Sequence, residues 1–284
     1  MDLSGGRRST NVEDRRGMRI GRGIVGGGLG TLVIVVIGLL LGVDPGVLVN
    51  STGYEPEPNT TAVQPSAPAD DAAKVFVETL VGFTEDTWSE IFREGGGSYR
   101  PPTLVLFSGA VESACGFGQA AMGPFYCPPD EKVYLDLSFF QELRDRFQAP
   151  GDFAQAYVIA HEVGHHVQHL LHISDKVEAV QQRSSERLAN QASVRLELQA
   201  DCLAGVWANR TERSQQAQAK RFLEVGDLEE ALQAASQIGD DKLQMETRGY
   251  VVPESFTHGS AEQRMRWFKQ GFQSGTVQGC NTFN

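Results

Sequence analysis

Two histidines four residues apart, His161 and His165, enclose Glu162 in the run His161-Glu162-Val163-Gly164-His165. In a helix, residues at this spacing share a face about one turn apart, so both imidazoles can reach one metal ion. Glu162 sits beside the same face, where its carboxylate can meet a water on that ion without being a ligand. Two nitrogen ligands, an open position for water and an adjacent base are what a zinc hydrolase requires, together with a third protein ligand from elsewhere. The rival reading is a buried helix with incidental histidines. Six histidines occur in the chain and five fall between His161 and His172, which weighs against it.

The third ligand has two possible sources. His169 lies four residues beyond His165, but His161 and His169 would stand about 12 Å apart along a helix axis, and His172 is farther still. A second helix is the better source. Glu197-Leu198-Gln199-Ala200-Asp201 places two carboxylates at i and i+4 beside the apolar stripe Val194, Leu198, Cys202 and Val206. Buried carboxylates are costly unless paired or bound to metal. Glu197 is therefore the expected third ligand. Asp201, one turn on, is expected to accept the N–H of a ligand histidine and fix its tautomer. The alternative is a solvated acidic pair on a helix surface.

Several elements must position these groups. Gly151-Asp152 is the expected start of the metal helix, with Asp152 as N-cap, and the helix runs to about Leu171. Gly164 in mid-helix costs roughly 1 kcal/mol relative to alanine and signals a close approach by a second helix or by substrate. Helical periodicity also marks Asp70 to Glu94, Ser138 to Phe147, Lys176 to Arg210 with a break near Ser184-Ser185, Gly226 to Ile238, and Ser260 to Phe272. Ser174-Asp175 is the expected cap before Lys176. Thr103 to Phe107 and Lys132 to Leu137 have strand character, and Gly116 to Pro129 is loop-like. The second strand is either an edge able to pair with an extended peptide or a plain structural strand. The class is α+β and mainly helical.

The N-terminal part has a different composition. Residues 1–23 are polar and basic, with Arg7, Arg8, Arg15, Arg16, Arg19 and Arg22. Residues 24–43 carry no charge and are long enough for a bilayer core of about 30 Å. The flanking arginines predict a cytoplasmic N-terminus and an external downstream domain; a cleaved signal peptide is the competing reading. Residues 44–69 are Pro-rich, as in an extended tether. The expected division is therefore a cytoplasmic segment 1–23, an anchor 24–43 in the lipid bilayer, a linker 44–69 and a folded domain 70–284. A formal net charge of −11 makes nucleic acid an unfavourable partner.

The motifs HEVGHHVQ and ELQADCLAG resemble the bacterial neutral zinc metallopeptidases and, more loosely, the gluzincin group, with HExxH followed by E-x-x-x-D. Asn11-Val12-Glu13-Asp14-Arg15-Arg16-Gly17, Gly123-Pro124-Phe125-Tyr126-Cys127-Pro128, Val133 to Leu137, and Thr257-His258-Gly259-Ser260 with Arg264 extend the resemblance over nearly the whole chain. It implies a membrane-anchored bacterial protein with a zincin-like domain, Zn2+ as cofactor and a peptide or protein substrate. It matches His161, His165 and Glu197 to the ligands, Glu162 to the general base and Asp201 to the supporting carboxylate. It also puts His258 where related peptidases place a residue near the substrate oxyanion; a structural histidine is the alternative there.

Cys115, Cys127, Cys202 and Cys280 all follow the apolar stretch and allow three pairings. Two disulfides fit an oxidising compartment outside the cytoplasm. Cys115 with Cys127 would close the loop before the strand, and Cys202 with Cys280 would tie the tail to the ligand helix. A zinc endopeptidase is the first functional expectation. A non-catalytic envelope binding or assembly module, and a hydrolase of a non-peptide amide, are the alternatives.

Overall fold

The computed structural model describes residues 1–18 and 71–283. Residues 24–43 and 44–69, the expected anchor and linker, lie outside the described residues. No described helix is long and apolar enough to cross a membrane.

Six short strands and eight helices follow in chain order among the described residues: β1 Val12–Asp14, α1 Ala72–Glu94, β2 Thr103–Phe107, β3 Ala110–Ser113, β4 Gly116–Gln119, β5 Phe125–Cys127, β6 Lys132–Asp136, α2 Ser138–Asp145, α3 Asp152–Leu170, α4 Ile173–Gln181, α5 Glu186–Ala217, α6 Asp227–Gln237, α7 Asp240–Arg248 and α8 Ala261–Ser274. The architecture is α+β and mainly helical, as expected.

The main sheet has the order β1-β2-β6-β5, and β3-β4 form a separate antiparallel hairpin. β1 and β6 run parallel to β2, while β5 is antiparallel to β6. Alternation along the strands splits two cores. Leu104, Leu106, Val133 and Leu135 face the helical layer, and Val105, Phe107 and Tyr134 face the smaller cluster with Val111 and Cys127.

Of the two readings of Lys132–Asp136, the plain structural strand holds, because β2 and β5 flank it on both sides. Two expectations need correction here. The stretch read as a loop, residues 116–129, supplies β4 and β5. The basic N-terminal residues are not a segment apart from the domain, because β1 completes the sheet with Val12 opposite Leu104 and Asp14 opposite Leu106. Leu104 N–H donates to Asn11 O (2.9 Å) and Arg15 N–H to Leu106 O (2.8 Å). Among the described arginines, Arg16 pairs with Asp14 and Asp71, and Arg7 with Glu85 and Asp86.

α3 is buried along most of its length, including Phe153, Ala154, Ala156, Tyr157, Val158, Ile159, Ala160 and Val163. A helix apolar on nearly every face belongs in the middle of the fold, and the sheet-side layer and α5, α6 and α8 surround it. Gly151 (φ 120°) occupies its cap, and Asp152 is the first helical residue rather than the cap. The next helix likewise begins at Ile173 after His172, not at Ser174-Asp175. The break near Ser184-Ser185 is real: α4 ends at Gln181 and α5 starts at Glu186.

α8 opens with a capping box in which Ser260 and Gln263 satisfy each other's backbone N–H. It packs tightly on α5: a side chain at Gly271 would place its Cβ 1.8 Å from the Cys202 carbonyl oxygen. The disulfides join Cys115 to Cys127 and Cys202 to Cys280. The second ties the C-terminal tail to α5.

Candidate metal centre

The site forms where α3 crosses α5. The contact is close because Gly164 has no side chain: a Cβ there would lie 3.1 Å from Ala200 O and 3.3 Å from Ala200 Cα. Ala200 lies between Glu197 and Asp201. The glycine inside the HExxH motif therefore sets the depth at which both carboxylates of α5 meet the histidines of α3. The close approach anticipated at Gly164 is made by a second helix.

His161, His165 and Glu197 offer ligand atoms that all lie within 4.8 Å of one another. His161 Nε2 is 3.2 Å from His165 Nε2 and 3.1 Å from Glu197 Oε2, and His165 Nε2 is 3.5 Å from Glu197 Oε1. A tetrahedral zinc ion with bonds of about 2.0–2.1 Å holds its ligand atoms about 3.3 Å apart. The three donors thus fit such an ion in both type and spacing. A second acidic group, Asp152, Asp227 and Glu230, also clusters. The Met1 ammonium lies against it, 2.9 Å from Asp152 and 3.3 Å from Asp227.

Asp201 is 0% exposed and lies behind His161, with Oδ1 at 2.8 Å from Nδ1. It accepts Nδ1–H and leaves Nε2 for the metal side. Its other partners are the Tyr157 hydroxyl and the Arg264 guanidinium, whose Nε and Nη2 each donate at 2.9 Å. Arg264 is buried too and also reaches the Ile238 carbonyl and the Tyr157 oxygen. A buried carboxylate needs such a fork of donors to remain ionised.

His165 is held on its far side by Gln168, whose Oε1 lies 2.9 Å from Nδ1. Both ligand imidazoles therefore have a fixed acceptor at Nδ1 and point Nε2 at Glu197.

The electrostatics call for a cation at the convergence point. Burial disfavours a charged His161 ring, but Asp201 and Glu197 outweigh it and raise its pKa to about 10. Glu197 is held well below the usual carboxylate range: His165, His258 and the bond from His161 overcome the opposing effect of burial. Glu162 is buried and shifts the other way, because desolvation exceeds the pull of His165 and His161. A carboxyl group raised by burial beside two imidazoles is suited to taking up and giving back a proton.

His258 belongs to the loop before α8. Buried Asp240 accepts the backbone N–H groups of Thr257, His258 and Gly259, and its Oδ1 lies 3.3 Å from His258 Nδ1. Gly259 (φ 93°) packs this loop against Val194 and Leu198 of α5. His258 and Glu197 are near enough to shift each other's ionisation. His169 and His172 stand apart from the triad, beside Glu131 and Asp175 respectively.

The sequence reading missed Tyr157, Gln168 and Asp240 and gave Arg264 no role. Two of these carried a signal: Tyr157 and Gln168 lie four residues before His161 and three after His165, on the ligand face of α3.

The family model described as "Putative neutral zinc metallopeptidase" matches residues 1–283. The chain belongs to this family. It is 48% identical over 292 aligned positions to "Uncharacterized protein YpfJ" of Escherichia coli strain K12, covering 100% of this chain and 99% of that one. It is 39% identical over 255 positions to "Uncharacterized protein Rv2575" of Mycobacterium tuberculosis strain H37Rv, covering 87% of this chain and 85% of that protein. No solved structure matches.

Proposed function

We propose that the protein is a zinc-dependent peptidase, with His161, His165 and Glu197 holding the ion and Glu162 serving as general base. The observation that carries this reading is the convergence of two Nε2 atoms and one carboxylate at 3.1–3.5 Å. Glu162 adjoins His161 in sequence and projects from the same helix. Bound zinc would supply Lewis acidity toward a carbonyl oxygen and lower the pKa of its water toward about 7.

The chain's own groups do the rest. Glu162 accepts the proton of the attacking water and returns it to the leaving amine nitrogen. Asp201, braced by Arg264 and Tyr157, keeps His161 in the Nδ1–H tautomer. His258, held by Asp240, would donate a hydrogen bond to the developing oxyanion.

The test is Glu162→Gln in the full chain. Zinc content should stay at one ion per chain while cleavage of a peptide library falls by about 10²–10⁴-fold. Wild-type protein that binds zinc and cleaves no peptide would favour the non-catalytic binding module. A variant that cleaves as well as wild type would remove Glu162 from the mechanism.

A further inference from the structure

We propose that Gln168 is a positioning residue for His165, and that Gln199 and the disulfide-tethered tail fix Gln168 in turn. The inference rests on the zinc site proposed above. Gln168 is 0% exposed and Gln199 is 6% exposed. Gln168 Nε2 donates to Leu196 O (2.7 Å) and to Gln199 Oε1 (3.1 Å), while its Oε1 faces His165 Nδ1. Gln199 Nε2 donates to Cys280 O at 2.9 Å.

The direction of this chain of bonds is forced. Backbone carbonyls only accept, so the NH2 of Gln199 must face Cys280 and the NH2 of Gln168 must face Leu196. Each amide then has only its oxygen left for the next partner. The last oxygen, Gln168 Oε1, can only accept, which obliges His165 to carry its proton on Nδ1. The Nε2 lone pair is thereby turned toward Glu197 and the ion. Asp201 does the same for His161 with a charge; Gln168 does it for His165 without adding a second buried anion beside the site. Cys280, whose carbonyl starts the relay, is bonded to Cys202 of α5, and Thr282 Oγ1 anchors the following residues to Arg195 O at 2.6 Å.

Zinc affinity of purified full-length protein, read by chelator competition, tests this directly. Gln168→Met keeps the volume and removes both functions of the amide; it should weaken zinc binding by 10–100-fold. Gln168→Glu keeps an acceptor for Nδ1 but sets its second oxygen against the Leu196 carbonyl and Gln199 Oε1, so it should recover only part of that loss. Gln199→Met should weaken binding by a smaller factor. The Co2+-loaded Gln168→Met protein should show an altered visible spectrum. A Gln168→Met protein that is folded by circular dichroism and binds zinc as tightly as wild type would overturn the proposal. Wild-type protein that binds no zinc would instead overturn the metal site itself.

A separate observation concerns sidedness. We infer that residues 1–17 and 71–283 occupy one compartment. β1 is bonded to β2 through backbone bonds of 2.8–2.9 Å. Asn11 Nδ2 donates to Glu85 of α1 at 2.7 Å, and Lys132 Nζ of β6 lies 2.9 Å from Glu13. One crossing of a bilayer core between residues 18 and 71 would put about 30 Å of hydrocarbon between β1 and β2. A cytoplasmic N-terminus with an external metal domain is therefore incompatible with this sheet. The two disulfides favour the oxidising side for both parts.

The test is single-cysteine labelling at two exposed positions, Thr10→Cys and Val225→Cys, in cells producing the full chain, using a membrane-impermeant maleimide. Both positions should label in the same fraction, intact or lysed. Labelling of one in intact cells and of the other only after lysis would overturn the inference.

Discussion

Replacing Arg264 with methionine should separate what the buried ion pair does for stability from what it does for the metal. Arg264 is 3% exposed and Asp201 0% exposed, and two charge-assisted bonds of 2.9 Å join them. Removing one member of such a pair leaves an uncompensated buried charge, at a cost of about 3–5 kcal/mol. At about 2–4 °C per kcal/mol for a chain of this size, the melting temperature should fall by roughly 6–20 °C. Asp201 relieves the strain by taking up a proton, which removes the anion that fixes His161. Zinc affinity should then fall by about 10–100-fold.

The double variant Arg264→Met/Asp201→Leu removes both charges. It should recover most of the lost stability, since an apolar replacement of a buried pair is often neutral, yet its zinc affinity should stay low because His161 still lacks its acceptor. Thermal melting and chelator competition on all three variants read both quantities. An Arg264→Met protein that melts within a degree or two of wild type with unchanged zinc affinity would refute this reasoning. So would a double variant that binds zinc normally.

Other parts of the structure give further expectations. Cys202 and Cys280 close a loop with a sequence separation of 78 residues, so replacing both with alanine should cost about 4–5 kcal/mol in chemical unfolding by loop entropy. Gly164→Val should push α5 from α3 and cost about 1–3 kcal/mol by overpacking, with zinc affinity falling in parallel; a stable variant with normal affinity would show that the crossing has slack. The hydrogen bond from Arg16 holds the Asp14 carboxyl down at about 2, against 3.8 ordinarily. A depressed carboxylate pKa stabilises the fold above the unfolded value and loses that effect as pH falls through the folded one. Hence up to about 2 kcal/mol should disappear between pH 4 and 2, and Asp14→Asn should flatten that part of a urea-unfolding series; equal slopes for both proteins would remove Asp14 from the acid response.

The centre was more legible in the sequence than the scaffold. His161, Glu162 and His165 followed from helical spacing, and Glu197 and Asp201 from a carboxylate pair on an apolar helix. The disulfide pairing followed from which tethers made sense. The short strands escaped for a physical reason: β1 and β5 have three residues each, too few to show a period of two. The arginines near β1 resemble a membrane flank in composition, yet Arg7, Arg15 and Arg16 pair with local carboxylates. α7 escaped because Asp240–Arg248 is short and largely polar. Its first residue nonetheless caps the loop that carries His258. Gln168 and Gln199 were overlooked because an amide looks like surface filler until its partners are known.

The central claim is that one ion is bound by His161, His165 and Glu197 together. X-ray absorption at the zinc edge of the purified full-length protein, compared with Glu197→Ala, tests it most directly. Wild type should show one zinc per chain with two imidazoles and low-Z oxygen ligands at about 2.0–2.1 Å, and Glu197→Ala should lose most of the bound metal. A wild-type spectrum with sulfur or a single imidazole, or a Glu197→Ala protein with an unchanged shell, would contradict the account.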